Sequence, residues 1–497
     1  MPKGKAMRIL TNGQMRLADR HTIEGGVSGF ELMRRAGAAI AECADFSGRK
    51  TYIICGKGNN GGDGYSLAAV LLSSGCDVTV FKTDEPKGDS AAFSEIYKNK
   101  GGREFAATEC DYKCDILVDC LFGTGFHGEA DDVYAEIIDK INESGAFVVS
   151  ADIPSGLNGD NGRGGKCVNA DITVAIQAAK LGHFLGKGKD VCGKLIIKDI
   201  GIDCKDTGAL AVDEKFCARF FPPRRNDSNK GSYGRCAIIG GSKNYPGAIK
   251  LADMGLAALQ SGCGLCTVAA PEFLIPALSA AVVENTLFPL DDDGRGICYN
   301  KEQIDELARM MKCVAIGPGI GGGYKEISRV IADLAGRDIK LIIDADGLNC
   351  LANDISVLDN HTADILLTPH PMEMARLNKL TLDQVLEAPL AVAENFAKKY
   401  GVTVLLKGSA TIITDGEKAY VMKDGGPYLA KGGSGDVLTG VITGIAARGY
   451  SLAESAAVGS YLCAMAGKRV SSRIGEYGTL PSQVAREIKR ITDEFGV

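Results

Sequence analysis

Residues 51–81 read TYIICGKGNNGGDGYSLAAVLLSSGCDVTVF. The apolar string Thr51-Tyr-Ile-Ile-Cys55 runs straight into Gly56 to Gly64, which holds only glycine, asparagine, lysine and aspartate. Tyr65 to Ser74 then reads as a helix, and Asp77-Val-Thr-Val-Phe81 as another strand. Strand, loop, helix, strand at this spacing predicts a parallel sheet with helices on both faces. So many turn formers in a row exceed what a turn needs. Backbone N–H groups in such a segment converge on an anion at the start of a helix, so it is read as a ligand loop.

The same grammar extends along the N-terminal half. Ile116-Leu-Val-Asp119, Phe147-Val-Val-Ser150, Ile172-Thr-Val-Ala175 and Leu195-Ile-Ile-Lys198 continue the strand series. Residues 220–234, FFPPRRNDSNKGSYG, break it with two prolines, charge and small polar side chains. The pattern then restarts with Cys236-Ala-Ile-Ile-Gly240, Val314 to Gly317, Leu341 to Asp344, Ile365 to Thr368 and Val402 to Lys407. The expectation is an α/β domain over residues 1–217, a linker over 218–234, and a second, larger α/β domain over 235–497. A chain of 497 residues is too long for one core, which agrees with two domains.

Composition narrows the function class. A net charge of −6 argues against a nucleic-acid or anionic-membrane binder, which needs a basic face. No run of about 18 apolar residues occurs, and MPKGKAMRIL has charge without a following apolar block, so neither a span nor a leader is expected. Most of the 17 cysteines sit inside apolar strings as small core residues, which points to a reducing cytoplasm. Cys263-Gly-Leu-Cys266 has redox or zinc spacing but no matching second pair, and is read as core.

Ligands of parallel sheets sit at the carboxyl ends of the strands. In the first half, three further motifs fall there. Asp119-Cys-Leu-Phe-Gly-Thr-Gly125 and Asp152-Ile-Pro-Ser-Gly156 bring Asp119, Asp152 and Ser155 beside Asn60, a set of hard oxygens suited to a monovalent or other hard cation. Lys180, in Gln177-Ala-Ala-Lys-Leu-Gly-His183, closely follows a strand end and is placed to neutralise a substrate or exchange protons with it. These motifs resemble the epimerase domain of nicotinamide nucleotide repair proteins over about residues 8 to 205. The resemblance implies a Rossmann-like three-layer domain that interconverts the two epimers of hydrated NADH or NADPH. It implies potassium ligands at Asn60, Asp119 and Ser155. It implies substrate contacts at Asn59, Asn60, Gly61, Gly62 and Asp63, at Gly123, Thr124, Gly125, Phe126, His127, Gly128 and Glu129, and at Asp152. Asp152 is the expected proton-transferring group, with Lys180 as its assistant.

In the second half, Gly432-Gly-Ser-Gly-Asp436 precedes the apolar run Val437, Leu438, Val441, Ile442 and Ile445. A plain helix cap does not need three glycines. Phosphoryl transfer does need N–H donors for the moving phosphate and a base for the acceptor hydroxyl, and Asp436 is read as that base. No GxxxxGK[ST] loop occurs. His370, between Pro369 and Pro371, is read as a substrate contact or a loop-ordering residue, and Asp344 and Asp346 as a ligand site or a turn. With Tyr245-Pro-Gly-Ala248, Gly317-Pro-Gly-Ile-Gly321, Thr368-Pro-His-Pro-Met-Glu373 and Lys407-Gly-Ser-Ala-Thr411, the motif resembles the ADP-dependent NAD(P)H-hydrate dehydratase domain, a ribokinase-like α/β fold, over about 226–495. The resemblance implies substrate contacts at Ala248, Gly319, His370 and Asp436, and ADP contacts at Lys407, Gly408, Ser409, Ala410, Thr411 and Gly435, with Mg2+ accompanying the ADP. The family often has Thr where Lys431 stands, so an extra charge near the loop is expected to bear on nucleotide preference.

Together the two resemblances imply one chain that epimerises R and S hydrates and dehydrates the S form with ADP, giving AMP and phosphate. The expected partners are NADHX, NADPHX and ADP, with neither nucleic acid nor membrane, in a homo-oligomer. Two other classes stay open: a small-molecule kinase using the same glycine loop, and a non-catalytic binding module. The joint presence of Asn60, Asp119, Asp152 and Lys180 weighs against the module.

Overall fold

The string Thr51–Cys55 is buried along its whole length, as a strand covered on both faces must be. In the computed structural model, which describes residues 7–204, 207–254 and 261–495, it is β2 and follows β1 (Arg8–Leu10). Met1 to Ala6, part of the stretch read for a leader, lie outside the described residues. The chain divides into two units, Met1–Leu210 and Ala211–Val497, with the break ahead of the stretch 218–234.

In the first unit β3 (Val78–Lys82), β4 (Arg103–Ala106), β5 (Ile116–Cys120), β6 (Phe147–Ala151), β7 (Ile172–Ile176), β8 (Ala179–Lys180) and β9 (Lys194–Lys198) follow, and β10 (Ala209–Ala211) spans the division. Among the described residues a seven-stranded sheet runs β4-β3-β2-β5-β6-β7-β9, parallel throughout. Alternate residues feed separate cores on its two faces: Ile53 and Cys55 on one side, Tyr52 and Ile54 on the other. Strand order reverses between β2 and β5, which opens a crevice at their carboxyl ends. Asp119 pairs with Ile54 on one side and Ser150 on the other, so it lies at the edge of that crevice.

One boundary differs from expectation. The helix after β2 is Asn59–Ser73 and begins inside the stretch read as a loop. Tertiary packing overrides the low helix propensity of Asn and Gly. A Cβ at Gly61 would stand 1.9 Å from the Gly56 carbonyl oxygen, so glycine lets the helix start directly on the strand end. Gly58, Asn59, Asn60 and Asp63 at its start still line a cavity at the sheet's carboxyl edge, where a ligand loop is expected.

The second unit contains β11 (Arg235–Ile239), β12 (Leu265–Pro271), β13 (Thr286–Leu290), β14 (Cys313–Ile316), β15 (Lys340–Ile343), β16 (Asp364–Leu367), β17 (Thr403–Leu406), β18 (Thr411–Thr414) and β19 (Ala419–Met422). Their order is β13-β12-β11-β14-β15-β16-β17-β18-β19. The strands are parallel up to β17, and β18 and β19 return antiparallel. Order reverses between β11 and β14, giving a second crevice. The helix Ser434–Ala447 is buried over most of its length, which suits its almost unbroken apolar sequence. Cys263 and Cys266 are buried, and Cys263 Sγ lies 3.5 Å from Cys236 Sγ. Among the described residues no three His, Cys, Asp or Glu side chains gather for a metal, and no helix is long and apolar enough to cross a membrane.

Candidate functional site

In the first unit a chain of hydrogen bonds starts at Asp119, the fourth residue of β5. Both its oxygens accept: Oδ1 from Ser155 Oγ at 2.5 Å and the Leu121 amide at 3.2 Å, Oδ2 from Ser150 Oγ at 2.8 Å and the Ser155 amide at 2.9 Å. Ser155 Oγ accepts from the Phe122 amide at 2.9 Å, and the Phe122 carbonyl accepts from Asn60 Nδ2 at 2.8 Å. Asn60 Oδ1 is buried and has no partner among the described residues. Burial raises the Asp119 carboxyl above its usual range, against the pull of Ser155, Ser150 and Leu121. An orphaned carbonyl oxygen joined to a buried carboxylate and a hydroxyl is a donor set that suits a hard cation of low charge.

Asp152 lies one residue past β6, in the left-handed region at φ +65°. That conformation is strained for any residue with a side chain, though least so for Asp and Asn. Three contacts impose it. The Asp152 amide donates to the Val174 carbonyl at 2.8 Å, the Ile176 amide donates to Asp152 Oδ1 at 3.0 Å, and His183 Nε2 meets the Asp152 carbonyl at 3.0 Å. His183 Nδ1 accepts the Lys180 amide at 3.0 Å, which assigns the ring proton to Nε2 as donor. Burial, then the Lys180 charge, push the His183 pKa down to about 4, so the ring is a neutral strut. Lys180 is fully buried, not a snorkelling surface residue; its ammonium grips Asp152 Oδ1 and donates to the Ile176 carbonyl at 3.0 Å.

Asn60, Asp152 and Lys180 border a cavity of about 700 Å³, and Asp119 and Ser155 lie behind its lining. Asn59, Asn60, Asp63, Gly123, Thr124, Gly125, Phe126, His127, Asp152 and Lys180 line it; Gly61, Gly62, Gly128 and Glu129 do not. Gly62 is turned instead against Met33 and Ser90. Arg16 and Asp19, from the helix Asn12–Glu24, also line the cavity and no sequence signal marks them. The Asp63 carboxyl is pushed well upward by burial and by the Asp152 charge.

In the second unit the corresponding strand ends converge on Asp344, which follows β15. Asp344 is 2% exposed. Its Oδ1 accepts from Thr368 Oγ1 at 2.7 Å and from Lys407 Nζ at 3.0 Å, and its Oδ2 accepts from Thr439 Oγ1 at 2.7 Å. Burial works to raise its pKa, but Lys407 and the two hydroxyls overcome that and hold it below the usual range. Lys407 is correspondingly raised against its own burial. The sequence left Asp344 open between ligand and turn; its side chain is the hub of this network.

Asp436 stands in the first turn of Ser434–Ala447. The cap position belongs to Gly433, at φ +96° and without a side-chain bond, so Asp436 is not the helix cap. Among the described residues the Asp436 side chain takes no hydrogen bond. Burial, then the nearby Asp344 charge, push its pKa up to about 7. A Cβ at Gly435 would lie 3.6 Å from Lys407 Nζ and 3.9 Å from Asp344 Oδ2, so Gly435, Lys407, Asp344 and Asp436 form one group.

The other expected residues fall as follows. Ala248, in the helix Pro246–Asp253, touches Gly319, where an added Cβ would come within 2.7 Å of the Ala248 Cβ. His370 caps the helix Pro371–Asn378, its Nδ1 accepting from the Met372 and Glu373 amides at 3.2 and 3.3 Å. Gly408, Ser409 and Ala410 make the turn from β17 to β18, with Ala410 buried, and Thr411 opens β18.

The profile of NAD(P)H-hydrate dehydratase matches residues 236–490, and that of the YjeF-related protein N-terminus matches residues 29–182. The bifunctional NAD(P)H-hydrate repair enzyme of Moorella thermoacetica is 35% identical to this chain over 500 residues, covering 95% of it and 94% of the relative. That of Escherichia coli is 32% identical, covering 94% and 90%. Among solved structures, a hypothetical protein from Streptococcus mutans aligns at a TM-score of 0.51 and 29% identity, over 58% of this chain and 100% of its own. A ribokinase-like superfamily protein from Enterococcus faecalis aligns at 0.51 and 25%, over 57% and 96%. Matched in both halves and along nearly its whole length, the chain belongs to the family of bifunctional NAD(P)H-hydrate repair enzymes.

Proposed function

We propose that the first unit epimerises hydrated NADH and NADPH, and that the second dehydrates the S epimer with ADP. The observation that carries the reading is the unpartnered Asp436 carboxylate, with its pKa near 7, in the first turn of a glycine-led helix. Asp436 takes the proton of the hydrate's hydroxyl as that oxygen attacks the β-phosphorus of ADP, and AMP leaves. The amide groups around Gly433 to Gly435 hold the charge of the moving phosphate. Phosphate then departs from carbon, pushed by the ring nitrogen, and loss of the neighbouring proton restores the double bond. Lys407 offsets the Asp344 charge beside the phosphate site, and His370, Ala248 and Gly319 bound the substrate side. Mg2+ accompanying the ADP would be held through its phosphates and would supply positive charge to the phosphoryl group in transfer.

In the first unit, inverting a carbon that bears a hydroxyl beside a ring nitrogen requires that a bond break and re-form on the other face. Asp152, fixed by Lys180 and His183, protonates the departing oxygen and deprotonates the incoming one. K+ would be held by Asn60 Oδ1, Asp119 and Ser155; when bound it would supply positive charge that offsets the buried Asp119. The roles run through domains 1–217 and 235–497, joined by 218–234. A cytoplasmic location suits 17 free thiols, and the assembly state, read as a homo-oligomer, is open to light scattering.

The test is recovery of NADH absorbance from a mixture of both hydrate epimers with ADP, with ATP, or with neither. Full recovery with ADP supports both activities. Recovery that stops at the S fraction, after correction for slow spontaneous epimerisation, removes the first. No recovery with either nucleotide turns the reading to a small-molecule kinase.

A further inference from the structure

Lys431 immediately precedes the glycine run of the second unit. Its ammonium donates to the carbonyls of Tyr477 and Thr479, each at 2.6 Å, and of Glu476 at 3.2 Å. All three carbonyls belong to the loop between the helices Leu452–Ile474 and Pro481–Phe495. The loop is folded to present them. Thr479 is buried and its hydroxyl donates to the Gly475 carbonyl at 2.9 Å, whereas the Tyr477 side chain is fully exposed and anchors nothing. Three carbonyl dipoles pointing at one spot repel one another unless a cation sits there. An ammonium has three N–H donors, and here each finds an oxygen, so Lys431 has none left for a phosphate.

The main chain of Lys431 works in the other direction. Its carbonyl accepts from the Ser434 amide at 3.1 Å, which sets the turn that enters the helix bearing Asp436. A Cβ at Gly433 would lie 3.5 Å from Pro481 Cγ, so the loop's far end packs on the same turn. One residue thus ties the glycine turn to the carbonyl loop by its backbone on one side and its ammonium on the other.

We propose that Lys431 is a positioning residue for the glycine loop, and that its ammonium fills in cis a carbonyl cradle able to take a free monovalent cation of ammonium or potassium size. The inference rests on Gly432 to Asp436 being the phosphoryl-transfer site. It replaces the expectation that Lys431 acts on nucleotide preference through its charge.

The experiment compares wild type with Lys431→Ala and Lys431→Thr. It follows ADP-dependent conversion of the pure S epimer, so that the first unit is not on the path, in a tetramethylammonium buffer with KCl, NH4Cl or LiCl added. Wild type is expected to turn over equally in all of them. The variants are expected to lose roughly 10²-fold, the scale of a slightly misplaced reacting group, and to regain activity saturably with K+ or NH4+ but not Li+. Their Tm is expected to rise with KCl by more than that of wild type. Full variant activity without added cation, loss that no cation restores, or a wild type that itself needs K+ for this step would each overturn the proposal. If wild type fails to convert the S epimer, the proposed function falls, and the KCl-dependent melting difference still decides the cradle: no difference overturns it.

Discussion

Lys407 Nζ stands 3.0 Å from Asp344 Oδ1, and the contact determines what both residues do. A lysine at the end of β17 reads from sequence as a free hand for nucleotide phosphates. In the folded unit it neutralises a carboxylate that Thr368 and Thr439 also hold. The Asp344 charge in turn bears on Asp436 and lifts its pKa.

Asp344→Asn therefore has two expected effects. Lys407 keeps its charge and loses its nearer counter-ion, leaving Glu373 at 4.0 Å, and removing one partner of a buried pair costs about 3 kcal/mol. The Asp436 titration moves to lower pH, because its strongest negative neighbour is gone. Urea unfolding checks the first effect and the pH–rate profile the second. An unmoved acidic limb would detach Asp344 from Asp436.

The Asp436 pKa near 7 gives a signed pH dependence. A general base works ionised, so kcat/KM for dehydration should rise with pH through about 7 and level off above it. Asp436→Asn should remove that limb and cost roughly 10²- to 10⁴-fold, the usual worth of a general base. Circular dichroism and ADP binding should stay as in wild type.

Asp152→Asn keeps a residue that tolerates positive φ, so the backbone at φ +65° survives. The expectation is dehydration of the S epimer at the wild-type rate with the R epimer left unrepaired. Chromatographic separation of the two epimers after ADP treatment reads this directly. R-epimer consumption at the wild-type rate would end the acid/base role of Asp152.

His183 makes stability depend on pH. Its folded pKa, about 4, lies below the ordinary value of 6.5, so the unfolded chain binds the extra proton first. Stability is complete above about 6.5 and falls as pH drops toward 4, by up to about 3 kcal/mol at 1.36 kcal/mol per pH unit. Denaturant unfolding of wild type and His183→Asn at pH 7, 5.5 and 4.5 should show wild type losing more stability toward acid than the variant does.

Much of the fold is legible along the chain because buried parallel strands are short unbroken apolar strings. Ile53, Val118 and Val149, or Ile238, Val314 and Ile342, have few other places to go. β12 and β13 escape the pattern: the first is Leu-Cys-Thr-Val-Ala-Ala-Pro, with small residues, and the second carries Pro289 at a sheet edge. The helix from Asn59 is hidden for a different reason. Its start is stabilised by contact with Gly56, a tertiary fact that local propensity cannot carry.

Sequence alone determined the two α/β units, the acidic residues at their strand ends and the glycine run before Asp436. These follow from periodicity and from what a sheet's carboxyl edge exposes, both local properties. Only the tertiary structure decided which charges meet. Asp344 with Lys407, Asp152 with Lys180 and His183, and Lys431 with the carbonyls of 476–479 join residues from different parts of a unit. Which of them ends as base, counter-ion or strut depends on burial and distance, because Coulomb and desolvation energies act between side chains across space and leave no period in the sequence.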